Sequence, residues 1–216
     1  MSTTPKVAVI GLGNIGKIVA ENLVKGNRPL IIASRKPEDA GTFARQLGGI
    51  AKPLEIAEAI KEADIIILSV WFSTIKVLFE QYAAELQGKI IIDPSNPIAP
   101  DGSGGFKKII GEKESAGELN AAALPKSAKL VKAFGTLSAA SLASAASQTP
   151  EKSVLFYATD DVSVNPDVEQ LIADGGFDAV RVGGIDQSIR IEVFGDLHEF
   201  GALGKTVTAA EAKMKI

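Results

Sequence analysis

The sequence predicts an α/β protein built on a doubly wound, mostly parallel sheet, and three observations carry that reading. Apolar runs of strand length alternate along the chain with segments whose apolar residues recur at helical spacing. The runs are continuous rather than alternating, which suits strands covered by helices on both faces. A stretch rich in Pro, Gly, Ser and Asp follows directly on one of them, at the carboxyl end of a strand, where open sheets of this class bind ligands. The 216 residues, 46 % hydrophobic and 23 % charged, are enough for a substantial core without cross-links.

The first strand is expected at 7–10, followed by a helix in which Ile15, Ile18, Val19 and Leu23 share one face while Lys17, Glu21 and Lys25 look away. The second strand falls at 30–33, and Glu38 and Asp39, after Pro37, begin the next helix. Strands are expected again at 65–70, 90–92, 130–134, 154–157 and 179–182. Between them, 74–86 repeats the helical spacing through Ile75, Leu78, Phe79 and Tyr82, and 166–173 does so with a proline in the first turn and Asp167 beside it. The stretch 94–105 reads as a loop, the alanine-rich 137–147 as a packed helix, and 185–203 as a helical region carrying Ile189, Val193, Leu197 and Phe200. No linker divides the chain. We expect one unit over 1–216, with 1–97 as a dinucleotide-binding core and 98–216 as an extension that forms an acceptor pocket and possible dimer contacts.

Composition removes several classes of function. Without cysteine there is no disulfide framework, cysteine nucleophile or thiolate metal site, and one histidine cannot build a histidine-rich metal centre, so no metal is expected. Twenty-three basic against 26 acidic residues, a formal charge of −3, leave no excess to neutralise a phosphate backbone, so nucleic acid is not an expected partner. Neither a signal peptide nor an apolar stretch of spanning length is legible, and the expectation is a cytoplasmic protein with no membrane part. Apolar surface in the carboxyl-terminal segment makes a homodimer the expected assembly.

The chemistry begins at Gly11, Leu12, Gly13, Asn14, Ile15 and Gly16. This G-x-G-x-x-G lies between the first strand and the first helix. In that frame the first glycine allows the tight turn, the second lets backbone approach a pyrophosphate, and the third permits close packing of helix on strand. The amides at the helix start, aided by the helix dipole, then receive the diphosphate. The second strand ends in Ser34, Arg35 and Lys36, where an NAD site would place an acid for the ribose 2'-hydroxyl. A hydroxyl and two cations suit a 2'-phosphate instead, so the expected cofactor is NADP(H). Trp71 or Phe72, after the strand at 65–70, would wall the nicotinamide, and the rigid turn Ser95, Asn96, Pro97 would present polar groups to its carboxamide. His198 has no partner at catalytic spacing and reads as structural or interfacial; no side chain is assigned as catalytic.

Taken together, several motifs resemble the NADP oxidoreductase family that uses the deazaflavin coenzyme F-420. They are the glycine loop from Val9 to Gly16, the run Ala33 to Lys36, Ser95-Asn96-Pro97 with its glycine-rich extension to Phe106, Ser115 to Glu118, and Val131 to Phe134 before Thr136-Leu137. The resemblance implies an eight-stranded Rossmann-like sheet. It implies further that Gly13, Asn14 and Ile15 hold the pyrophosphate, that Ser34 and Arg35 hold the 2'-phosphate, and that Val70, Thr74, Asn96 and Ala133 line the nicotinamide side. Gly135 departs from the pattern, standing where relatives carry a bulkier polar side chain. The same sheet resembles the cytoplasmic domain of six-transmembrane ferric reductases, which pass hydride from NADPH to a flavin. The expected activity is hydride transfer between NADPH and a planar small-molecule acceptor, such as coenzyme F-420 or else a flavin or quinone. The alternatives are a β-hydroxyacid or imine reductase, whose usual helical domain has no counterpart here, and a non-catalytic NADP-binding redox sensor.

Overall fold

The computed structural model describes residues 4–216. Strands β1 (Val7–Ile10), β2 (Leu30–Ala33), β3 (Ala51–Pro53), β4 (Ile65–Leu68), β5 (Ile90–Asp93), β8 (Lys129–Lys132), β9 (Val154–Ala158) and β10 (Asp178–Gly183) form one sheet. Between β5 and β8 lies a separate hairpin of β6 (Ile98–Pro100) and β7 (Phe106–Lys108). Helices α1 (Asn14–Lys25), α2 (Pro37–Gln46), α3 (Ile56–Glu62), α4 (Phe72–Gln81), α5 (Ala116–Ala123), α6 (Ala139–Ser144), α7 (Asn165–Asp174), α8 (Ser188–Ile191) and α9 (Ala209–Ala212) complete the fold. None of these is long and apolar enough to cross a membrane.

The sheet runs in the order β10-β9-β8-β5-β4-β1-β2-β3. All pairs are parallel except β8 with β9, which meet antiparallel through Lys132 and Ala158. This is the mostly parallel, eight-stranded, Rossmann-like sheet that the motifs implied, with the reversal of strand order at β1. Successive residues of β1 show why its apolar run is unbroken. Val7 and Val9 pack with Val19 and Leu23 of α1, Phe43 of α2, Leu142 of α6 and Leu171 of α7. Ala8 and Ile10 pack on the other face with Ile60 of α3 and Ile75 and Phe79 of α4. A third, smaller cluster joins Val154, Phe156 and Ala158 of β9 to Ile191, Leu197 and Ala212.

Several boundaries move for local reasons. The strand expected at 65–70 stops at Leu68, because the Val70 N–H turns back to the Leu68 carbonyl and leaves the ladder. The strand expected at 130–134 covers Lys129–Lys132, and Phe134 adopts a left-handed conformation, φ 62°, that no strand accommodates. The expected loop at 94–105 is partly regular: its glycine-rich tip is closed by the Asp101 carboxylate, which accepts from the Ser103 and Gly105 amides, and this lets β6 pair with β7. The helix expected at 74–86 starts two residues earlier and ends at Gln81. In 185–203 helical turns end at Ile191. Gly195 and Gly201 fold the rest back on itself, each leaving no room for a Cβ against neighbouring backbone.

Candidate functional site

The glycine loop leaves β1 and enters α1 beside the carboxyl end of β4. Gly11 has φ 97°, and a Cβ there would overlap the Ser69 carbonyl oxygen; a Cβ on Gly16 would overlap the Gly11 carbonyl oxygen. Those two glycines serve packing. Gly13 differs: a Cβ added to it meets nothing within 4 Å, so the glycine faces open space at the start of a 12-residue helix. No side chain caps that helix and no acid lies in its first turn, so its amino-terminal dipole is uncompensated from within. A pyrophosphate fits this cradle. Asn14 is exposed there, while Leu12 and Ile15 pack partly against the core and hold the loop down.

At the end of β2, Arg35 and Lys36 are exposed, and among the described residues neither forms an ion pair with a carboxylate. Ser34 is nearly buried and its hydroxyl donates to the Lys36 carbonyl, shaping the turn before α2. Its remaining capacity is that of an acceptor, so the two cations rather than the hydroxyl are the groups ready for a phosphate. Trp71 caps α4 and is 60 % exposed; Val70 and Thr74 flank it, half-buried.

Beyond β4 the strand ends are tied by a buried polar network that the sequence reading did not single out. Asp93, fully buried, accepts from the Ser95 amide (2.7 Å) with one oxygen and from Asn120 Nδ2 (2.9 Å) and Lys132 Nζ (3.1 Å) with the other. Lys132 Nζ also donates to the Ser95 carbonyl, so the Ser95 peptide is gripped on both sides. Asn96, next in line, donates from Nδ2 to the Gly135 carbonyl (3.0 Å) and accepts at Oδ1 from the Val193 amide (2.7 Å). Glu192 accepts from the amides of Ala116 and Gly117, both at 2.9 Å, at the start of α5, which carries Asn120. Burial pushes the Glu192 carboxyl above the usual range, against the pull of Lys132. The circuit therefore closes, joining β5, β8, α5 and the segment after α8. The only hint in the sequence was a lysine and an aspartate at the ends of apolar strands.

Of the residues expected near the nicotinamide, Asn96 thus has its side chain committed within the fold, and Ala133 is 1 % exposed with its amide donating to the Asp93 carbonyl. Gly135 has a local cause, since a Cβ there would lie 2.6 Å from the Pro94 carbonyl oxygen. His198 is buried. Its Nδ1 accepts the Phe200 amide (2.9 Å), which leaves the proton on Nε2 to donate to the Gly135 carbonyl (3.0 Å). Burial pulls its pKa down to about 4, so it is neutral at physiological pH and serves as a strut.

A pH prediction follows from that value. Between the unfolded value of 6.5 and about 4 the unfolded chain binds the proton and the native imidazole does not, so stability falls as pH drops through this window. The loss is up to about 3 kcal/mol for this group. Glu192 acts in the opposite sense, its raised pKa favouring the native state on the acid side. Urea unfolding of wild type and His198→Gln at pH 7 and pH 4 isolates the histidine: the gap between them is expected to shift toward the variant by about that amount. A gap independent of pH would contradict the neutral buried state.

Residues 6–97 match the family model described as NADP oxidoreductase, coenzyme F420-dependent. Among curated proteins, the F420-dependent NADP reductase of Methanocaldococcus jannaschii is 35 % identical over 104 residues, covering 44 % of this chain and 46 % of the relative. The metalloreductase STEAP3 of Rattus norvegicus is 27 % identical over 192 residues, covering 87 % of this chain and 36 % of the relative. The chain therefore spans less than half the length of these curated relatives. A hypothetical protein, SMa0349 from Sinorhizobium meliloti, superposes with a TM-score of 0.81 at 28 % identity, covering 94 % of this chain and 95 % of its own. These two curated relatives are reductases by name, and over residues 6–97 the chain matches the coenzyme F420-dependent NADP oxidoreductase family, as its motifs led us to expect.

Proposed function

We propose that the chain is an NADP(H)-dependent reductase that moves a hydride between NADPH and a planar redox acceptor: a deazaflavin of the coenzyme F-420 type, or a flavin or quinone. The observation that carries this is the pairing of two features at adjacent strand ends, the open cradle at Gly13 before α1 and the exposed cations Arg35 and Lys36 after β2. The first suits a diphosphate and the second a 2'-phosphate. NADPH supplies a hydride when bound; the acceptor takes that hydride together with a proton from solvent. The residues of the chain bind and orient. Backbone amides at Asn14 and Ile15 hold the diphosphate, Arg35 and Lys36 select the phosphorylated ribose, and Val70, Trp71 and Thr74 border the nicotinamide. The Asp93–Lys132 network would keep the ends of β5 and β8 in place while the cofactor and acceptor bind. Transfer between stacked rings needs orientation and exclusion of water more than a side-chain acid, which agrees with a neutral, engaged His198.

The test is NADPH oxidation across coenzyme F-420, FMN, FAD and a quinone, with NADH as control. Turnover dependent on one acceptor and on NADPH supports the reading; tight NADPH binding without turnover on any of them would favour a cofactor sensor. Arg35→Ala is expected to weaken NADPH binding about tenfold to a hundredfold, from loss of one charge-assisted hydrogen bond of about 1.5–3 kcal/mol, with little change for NADH. Fluorescence titration checks this, and equal losses for both cofactors would remove the 2'-phosphate role.

A further inference from the structure

Four aromatic side chains are exposed among the described residues, and all four belong to segments at the carboxyl ends of the sheet strands. Trp71 follows β4, Phe106 lies in the hairpin after β5, and Phe194 and Phe200 lie in the segment that Asn96 and Gly135 anchor to the ends of β5 and β8. Phe194 is the unusual one. It is left-handed, φ 75°, a conformation that bulky side chains rarely take, and yet the residue is 52 % exposed, so core packing does not account for it. The backbone on both sides is fixed. The Val193 amide donates to Asn96 Oδ1, the Gly195 amide donates to the Glu192 carbonyl (2.8 Å), and Glu192 itself is locked to the start of α5. A Cβ on Gly195 or Gly201 would overlap neighbouring backbone, so the turn packs backbone against backbone at both glycines. The fold thus holds an apolar ring in solvent, one residue from the Asn96 contact, at the rim of the strand ends.

We propose that Phe194 is a specificity-determining residue for the second substrate, stacking its ring on the planar acceptor; this rests on the hydride-transfer reading above. A flat heteroaromatic ring is the chemistry that an exposed, immobilised phenyl group recognises, because offset stacking needs little of the partner beyond a π-face. The neighbouring Phe200, 55 % exposed and tied through its amide to His198, borders the same rim.

The test uses wild type, Phe194→Ala, Phe194→Tyr and Phe194→Gly, each loaded with NADP+ and titrated with FMN and with its 5-deaza analogue by fluorescence. The alanine and glycine variants are expected to bind the ring at least tenfold more weakly, the tyrosine variant within about twofold of wild type, and all four are expected to bind NADPH alike. Glycine relieves the left-handed backbone, so Phe194→Gly should also melt at a higher temperature than wild type; loss of ring affinity in a more stable protein separates recognition from folding. Ring binding by the alanine and glycine variants within twofold of wild type overturns the proposal, and if NADPH oxidation persists in wild type the reductase reading survives that failure. Wild type that binds NADP+ and neither ring compound overturns the inference, and the hydride-transfer reading falls with it only where NADPH oxidation is also absent with every acceptor, the quinone included.

Discussion

Gly11→Ala is expected to yield no stably folded protein at 25 °C, while Gly13→Ala is expected to fold as wild type does and to bind NADPH at least tenfold more weakly. The two positions are two residues apart in one loop and differ in what surrounds them. At Gly11 the backbone has φ 97°, and an added methyl overlaps the carbonyl oxygen and carbon of Ser69, at the end of a central strand. Neither the oxygen nor the strand can yield cheaply, and left-handed strain adds about 1–2 kcal/mol to the overlap, against a total stability of about 5–15 kcal/mol. At Gly13 the backbone has φ −77°, which any residue adopts, and the methyl meets nothing within 4 Å. Its stability is expected to change by less than about 1 kcal/mol. On the function proposed above the methyl would occupy space that a pyrophosphate needs against the amides of α1, and the NADPH dissociation constant is expected to rise at least tenfold, about 1.4 kcal/mol. Thermal melts by circular dichroism and NADPH titration check both halves. A Gly11→Ala protein with unaltered melting, or a Gly13→Ala protein with unaltered affinity, would show that the loop works otherwise.

That contrast also marks where the sequence was legible. G-x-G-x-x-G in a strand-to-helix frame announces the cradle, because Gly11 and Gly16 meet close backbone approaches that only glycine allows and Gly13 leaves the start of the helix open. The strands of the central sheet were equally legible, since residues such as Ile65, Ile66 and Ile67 are buried on both faces and give an unbroken apolar run. The short elements were not. β3 has three residues with Lys52 and Pro53 exposed, and α9 has four residues and depends on the Thr208 capping box, so neither carries a periodic signal. The polar network was hidden for a different reason. Asp93, Asn120, Lys132 and Glu192 lie up to 99 positions apart, and only the fold of β5, α5, β8 and the segment after α8 brings them together. The turn chemistry of Asn96 is visible in the sequence, whereas the carbonyl of Gly135 and the amide of Val193 that its side chain engages are not.

Lys132→Met is expected to cost about 3–5 kcal/mol, because among the described residues it removes the one cation bonded to Asp93 and leaves a fully buried carboxylate with amide donors alone. Methionine keeps most of the apolar volume, so the loss is electrostatic rather than a cavity. Adding Asp93→Asn to it removes the orphaned charge, and the pair is expected to recover at least about 2 kcal/mol of the loss, a coupling that independent sites would not show. The pH dependence gives a second check. Lys132 opposes the effect of burial on Glu192, whose carboxyl already sits above its usual range. Without the lysine that rise grows, and a native pKa above the unfolded one gives stability that is present below the unfolded value and lost as pH rises through the native one. The deficit of Lys132→Met relative to wild type should therefore be larger at pH 8 than at pH 5. Urea unfolding at the two pH values measures it. A deficit that is small and the same at both would mean that the ends of β5 and β8 are held by packing, and the network would lose its claim to position the Ser95–Asn96 turn.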